Sequence, residues 1–199
     1  SDLAAMGARP RWALLSLALP EADEAWLAGF SQGFFALAEC HGIDLVGGDT
    51  TRGPLNISVT ILGEVAAAQA LRRDGAVAGD DLWVSGELGG AALGLRHLLA
   101  EVALDPAEAA ACVDRLERPQ PRVALGLALP GIAHAAIDVS DGLLADLGHI
   151  LERSGLGADL ALAALPAAGA VAARLPDVRA MACLLAGGDD YELCFTADP

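Results

Sequence analysis

Short apolar runs that break off in turns of glycine and aspartate restrict the fold of this chain more than any other feature. Residues 43–46 empty into Gly47-Gly48-Asp49-Thr50-Thr51-Arg52-Gly53, and residues 135–139 run into Ser140-Asp141-Gly142. A third turn, Gly187-Gly188-Asp189-Asp190, stands before a final apolar run at 191–196. Runs of this length bounded by turn residues predict buried strands. Further strands are predicted at 12–19, 56–65, 80–85 and 158–162. At 56–65 the alternation of Ile57, Val59 and Ile61 suggests one wet face or a subunit interface.

Helix signals fill the intervals. Asp23 can cap a helix over 24–41 that Gly42 closes, and Ser1-Asp2 open a short helix stopped at Gly7. Other helices are predicted from Gly89-Gly90 to about residue 100, and over 106–116, 121–128, 142–153 and 178–185. The Ala-rich stretch 66–70 is the boundary candidate. The fold class is therefore α/β (α+β). A partial N-terminal domain, 1–68, of mixed strands and helices precedes a truncated C-terminal α/β domain, 69–199.

Composition narrows the chemistry. At 54% hydrophobic residues and a mean hydropathy of +0.46 the chain is not disordered. A net charge of −15 repels nucleic-acid backbones and anionic membranes, so neither is expected as a partner. Every basic residue among the twelve is Arg. A Walker A lysine, a kinase-type lysine and a Schiff-base lysine are excluded within these residues. Cys40, Cys112, Cys183 and Cys194 form no CxxC pair and read as buried free thiols. There is no signal-peptide pattern, and no apolar run reaches the ~20 residues that span a bilayer. These features read as a cytoplasmic protein. A start at Ser1 without Met and an end at Pro199 lead us to expect a fragment.

Four Asp-bearing turns are the candidates for chemistry: Ser1-Asp2, Gly48-Asp49, Asp138-Val139-Ser140-Asp141-Gly142 and Gly188-Asp189-Asp190. Carboxylates converging at strand ends repel unless cations lie between them, and hard Mg²⁺ suits oxygen ligands with room left for phosphate. Backbone N–H groups at Gly47-Gly48 and at the Gly142 helix start can receive phosphate oxygens. Ser140 adds a hydroxyl, and Arg52, Arg72 and Arg73 add guanidinium groups. Each feature also has a structural reading. Asp2 is a good helix cap, Asp49 and Asp141 are ordinary turn residues, and Arg72 and Arg73 make a solvated pair. Asp138 resists this, since an unpaired carboxylate closing an apolar strand is costly to bury. His149, three residues after Asp146, reads as a local polar contact; His41, His97 and His134 show no ligand spacing, and no GxSxG elbow exists.

In order, residues 1–8 (Ser-Asp-Leu-Ala-Ala-Met-Gly-Ala), 46–53 (Val-Gly-Gly-Asp-Thr-Thr-Arg-Gly), 137–143 with 146–149, and 187–193 (Gly-Gly-Asp-Asp-Tyr-Glu-Leu) resemble the thiamine-monophosphate kinases. These belong to the aminoimidazole-ribotide synthetase superfamily, which binds ATP without a P-loop. The similarity runs through essentially the whole chain. It implies a dimerising N-terminal domain and a C-terminal α/β domain, with ATP and several Mg²⁺ ions between them. By the same resemblance Asp2, Asp49, Asp138 and Asp141 are Mg²⁺ ligands. Gly48, Asp49, Arg73 and Ser140 contact ATP, and Asp189 meets the thiamine substrate where the family usually has Glu. The family's upstream Gly-Asp-Asp turn, its Ser/Thr-Thr-Asp metal site and its C-terminal substrate-stacking aromatic are missing. The implied reaction is transfer of phosphate from ATP to thiamine monophosphate, assisted by metal and with no covalent nucleophile. The alternatives are another ATP-using synthetase of the superfamily (selenophosphate, hydrogenase-maturation or purine type) or a non-catalytic nucleotide-binding fragment.

Overall fold

The computed structural model describes residues 1–199. The chain forms two compact units: Ala8–Ala66, and Ser1–Gly7 together with Ala67–Pro199. Helices and strands are mixed in it, as the α/β (α+β) reading requires. In chain order, helix α1 (Asp2–Ala5) precedes β1 (Arg9–Leu19), α2 (Glu24–His41), β2 (Asp44–Arg52) and β3 (Asn56–Glu64). There follow β4 (Asp81–Val84), α3 (Gly90–Leu98), α4 (Pro106–Glu117), α5 (Val123–Ala128), β5 (Ala133–Val139) and α6 (Leu143–Ser154). Helices α7 (Gly169–Ala172) and α8 (Val178–Ala186) and strand β6 (Glu192–Ala197) complete the chain.

In the Ala8–Ala66 unit the sheet order is β2-β1-β3, with β1 parallel to β2 and antiparallel to β3. A parallel neighbour needs a crossover, and α2 supplies it. Asp23 starts that helix by accepting the N–H groups of Ala25 (2.9 Å) and Trp26 (3.1 Å); Gly42, at φ 64°, ends it. At successive i, i+4 positions Trp26 stacks on Phe30, centroids 5.3 Å apart, and Phe30 meets Phe34 at a tilt, 6.0 Å apart.

The structure corrects the predicted turn at 47–53. Strand β2 does not stop at Val46; it stays paired with β1 as far as Leu19↔Arg52, after a register shift between Ala13 and Leu14. Gly48 makes the close approach feasible. At φ 150° it lies opposite Leu15, and a Cβ there would run into the Leu15 backbone carbonyl. Glycines that read as a loop are thus strand residues pressed against a neighbouring backbone.

In the other unit the sheet order is β4-β6-β5, antiparallel throughout. One face carries Ile137, Val139 and Cys194 into a core with Leu88, Leu93, Leu143, Leu147, Ile150 and Leu184. The other carries Ala136 and Leu193 against Ala4, Ala5 and Leu129, so that α1 packs under β5. Full burial of each such leucine or isoleucine contributes roughly 1.5–3 kcal/mol. The strand predicted at 158–162 does not form. The backbone turns instead into a 3₁₀ helix at Leu162–Ala164, with Leu160 resting against the core. Cys112, Cys183 and Cys194 are buried free thiols as read, whereas Cys40 is exposed.

Gly48→Ala is expected to lower stability by roughly 2 kcal/mol or more, because both the positive φ and the contact with β1 oppose a side chain. Urea unfolding of the variant and the parent chain measures it.

Candidate functional site

Strand β5 leads through Ser140-Asp141-Gly142 into α6, and this turn is held from three sides. Asp146, 3% exposed in the first turn of α6, accepts the backbone N–H groups of Ser140 and Asp141, each at 2.9 Å. Burial pushes the Asp146 carboxyl above its ordinary range; the two N–H bonds oppose this, and the charges of Asp141 and Asp138 add to it. Gly142, at φ 107°, leaves no space for a Cβ, which would lie 2.7 Å from the Ala186 backbone. The Asp189 N–H donates to the Ser140 carbonyl (3.0 Å), and the Tyr191 N–H donates to the Val139 carbonyl (2.8 Å). Two motifs some fifty residues apart in sequence therefore form one double turn.

Charge gathers on that double turn. Burial pushes the Tyr191 phenol up, and the charge and hydrogen bond of Asp189 and the charges of Asp138 and Asp141 push it further. The Tyr191 hydroxyl donates to Asp189 Oδ1 at 3.1 Å. Asp189 itself takes a left-handed φ of 67°, and the Asp141 side chain is exposed.

Asp138 is 5% exposed, and its Oδ2 accepts the Ser1 hydroxyl at 2.6 Å. Ser1 occupies the cap position of α1, but its side chain makes no capping bond, because it is committed to Asp138. Asp138 and Asp2 line one cleft of about 400 Å³, together with Arg72, Arg73, Asp74 and Arg153. Arg72 is held by Asp74 in a forked pair, Nε–Oδ1 2.8 Å and Nη2–Oδ2 2.5 Å. Arg73 and Arg153 form no ion pair, so their charge remains free for an anion. Asp2 and Asp138 share this cleft and are oxygen donors of the kind a hard divalent cation takes, whereas Asp141 does not line it and the three carboxylates do not close into one three-ligand group. Gly48 and Asp49 belong to the Ala8–Ala66 unit, where Asp49 is exposed on β2 opposite Ser16. His149 is exposed on α6.

Sequence reasoning gave no supporting role to three carboxylates, although Asp146 and Asp190 lie in motifs it singled out. Asp146 is the first. Asp190 is the second: its Oδ2 accepts the Gly89 N–H at 2.7 Å, at the start of α3, and burial pushes its carboxyl up to about 6 against that hydrogen bond. Glu192 is the third. It is 3% exposed, takes a forked pair from Arg122 (Nε–Oε2 2.6 Å) and also accepts the Ser85 hydroxyl. Asp146, four residues after Gly142, and Asp190, in the Gly-Gly-Asp-Asp turn, carried local sequence signals; the partners of all three carboxylates are tertiary.

The residues 77–197 match the model for the C-terminal domain of AIR synthase related proteins, and residues 1–65 match that for the N-terminal domain. The thiamine-monophosphate kinase of Salmonella typhimurium is 48% identical over 197 residues, 98% of this chain. The chain belongs to the thiamine-monophosphate kinase family of AIR synthase related proteins. Its backbone superposes on the thiamine-monophosphate kinase of Stenotrophomonas maltophilia K279a with a TM-score of 0.93 and 56% identity. That match covers 99% of this chain and 64% of the other. AaThiL complexed with AMPPCP and TMP aligns with a TM-score of 0.89 and 34% identity, over 99% of this chain and 64% of that one. The chain spans 61% of the length of the Salmonella relative.

Asp190 gives stability a pH dependence. Its folded pKa of about 6 lies above the ordinary 3.8, so the folded state binds the proton more tightly. The stability this group contributes is fully present below about pH 4 and is lost as pH rises through about 6. Asp190→Asn is expected to remove up to about 3 kcal/mol of that fall, from two pKa units at about 1.4 kcal/mol each. Urea unfolding at several pH values between 4 and 7 measures it.

Proposed function

We propose that the full-length protein transfers the γ-phosphoryl group of ATP to the phosphate of thiamine monophosphate, giving thiamine diphosphate. The observation that carries this is the near-complete burial of Asp138 at a strand end, in one cleft with Asp2 and with the unpaired Arg73. A carboxylate so placed is costly without a cation, and the neighbouring arginine offers an anion a place beside it. The relative whose structure holds AMPPCP and TMP supports the choice of nucleotide and acceptor.

In this reading Asp2, Asp49, Asp138 and Asp141 hold Mg²⁺, while Gly48, Asp49, Arg73 and Ser140 contact ATP. When bound, Mg²⁺ supplies charge neutralisation for the phosphates. An oxygen of the thiamine monophosphate phosphate attacks the γ-phosphorus in line, its bond to ADP breaks, and no protein nucleophile intervenes. The chain's own residues provide position and charge. Asp146 fixes the Ser140-Asp141 turn, Arg73 opposes phosphate charge, and Asp189, steadied by Tyr191, faces the substrate. Asp189 is one methylene shorter than the family's usual Glu, so it depends more on this fixed turn to reach the thiamine.

Residues 1–68 and 69–199 are the two functional divisions. Pairing of the full-length protein as a homodimer through the first suits the exposed Ile57, Val59 and Ile61 of β3. No helix of the chain is long and apolar enough to cross a membrane, which agrees with a cytoplasmic setting.

Incubating the full-length protein with ATP, Mg²⁺ and thiamine monophosphate is expected to yield thiamine diphosphate and ADP; absence of thiamine diphosphate would reject the reading. Asp141→Asn is expected to lower kcat at least tenfold, about 1.4 kcal/mol in barrier. Unchanged turnover in that variant would remove Asp141 from the cation site.

A further inference from the structure

A second group of ligating side chains lies at the opposite end of β5 from Asp138. Asp80 directly precedes β4, His134 is the second residue of β5, and Asp198 directly follows β6. One potential ligand atom from each lies within 4.8 Å of the other two. His134 Nδ1 is 2.9 and 3.0 Å from the two Asp80 oxygens. That spacing suits a hydrogen bond, and it equally suits two adjacent ligands each about 2.1 Å from one transition-metal ion, which stand about 3 Å apart. The Asp80 side chain is 6% exposed, and its Oδ2 also accepts the Val77 N–H at 3.0 Å. Neither Asp80 nor Asp198 is paired with an arginine.

An independent observation points to an occupant. Thr196 is 2% exposed, and its hydroxyl faces the Asp80 carboxylate, yet Oγ1 has no hydrogen-bond partner of good geometry. A buried hydroxyl so poorly served is a place for a water or a ligand. Thr196 and Asp80 also line a shared cavity of about 780 Å³, which reaches the cluster from the Asp80 side. Four residues separate His134 from Asp138, about 13 Å along a strand, so the two sites are distinct.

We propose that Asp80, His134 and Asp198 form a binding site for a single transition-metal dication, with water completing the coordination and serving Thr196. One imidazole and two carboxylates favour Zn²⁺, Mn²⁺ or Co²⁺ over Mg²⁺. The ion joins the start of β4, the start of β5 and the end of β6, so its role is to clamp one end of the sheet. The inference does not rest on the kinase reading.

The test uses the full-length protein, stripped with chelator and kept in saturating Mg²⁺ to fill hard-cation sites. It is titrated with Co²⁺ followed by visible absorption, and with Zn²⁺ followed by calorimetry. One equivalent per chain is expected, with a rise of several degrees in Tm. His134→Gln and Asp198→Asn are each expected to weaken binding at least tenfold, while Asp141→Asn leaves it unchanged. Asp198 is exposed, so its variant reads the site even if His134→Gln fails to fold. Absence of a Co²⁺ equivalent, or an equivalent that survives Asp198→Asn at full affinity, would overturn the site and leave a plain His–Asp hydrogen bond.

Discussion

Two backbone hydrogen bonds, from Asp189 to the Ser140 carbonyl and from Tyr191 to the Val139 carbonyl, are the link on which the candidate site depends. They extend the β5–β6 pairing past the strand ends, where each chain segment turns away, and so join two carboxylate-bearing turns into one rigid body. Asp146 adds a charged acceptor to the same turn, and its burial keeps water from competing for the N–H groups it holds. The exposed Asp141 can then carry a charge on a backbone that does not have to reorganise when a ligand arrives.

Much of this was legible in the chain. The Asp23 cap, the Gly42 stop and the terminal apolar strand stand close to where local chemistry placed them, because caps and period are short-range signals. Gly47 and Gly48 misled for a specific reason. Glycine marks both a turn and a close backbone approach, and only the position of Leu15 on the neighbouring strand decides between them. Residues 158–162 misled in another way: a short apolar run serves equally as a strand or as a segment laid on the core, and Leu160 takes the second course.

The site divides along the same line. Asp138 was suspicious from its own neighbourhood, as a charge closing an apolar run. The partners that make it intelligible were not visible, because Ser1 lies 137 residues away. Asp190 with Gly89 and Glu192 with Arg122 are likewise long-range pairs, separated by 101 and 70 residues. Arg72 and Arg73 looked equivalent as neighbours. Their difference comes from Asp74, which engages one guanidinium and leaves the other free.

The carboxyl that closes the start of α3 stands one position after Asp189, the side chain assigned to the thiamine ring system. Uptake of a single hydrogen ion there removes a buried negative charge, so mildly acidic water firms the segment that carries its neighbour.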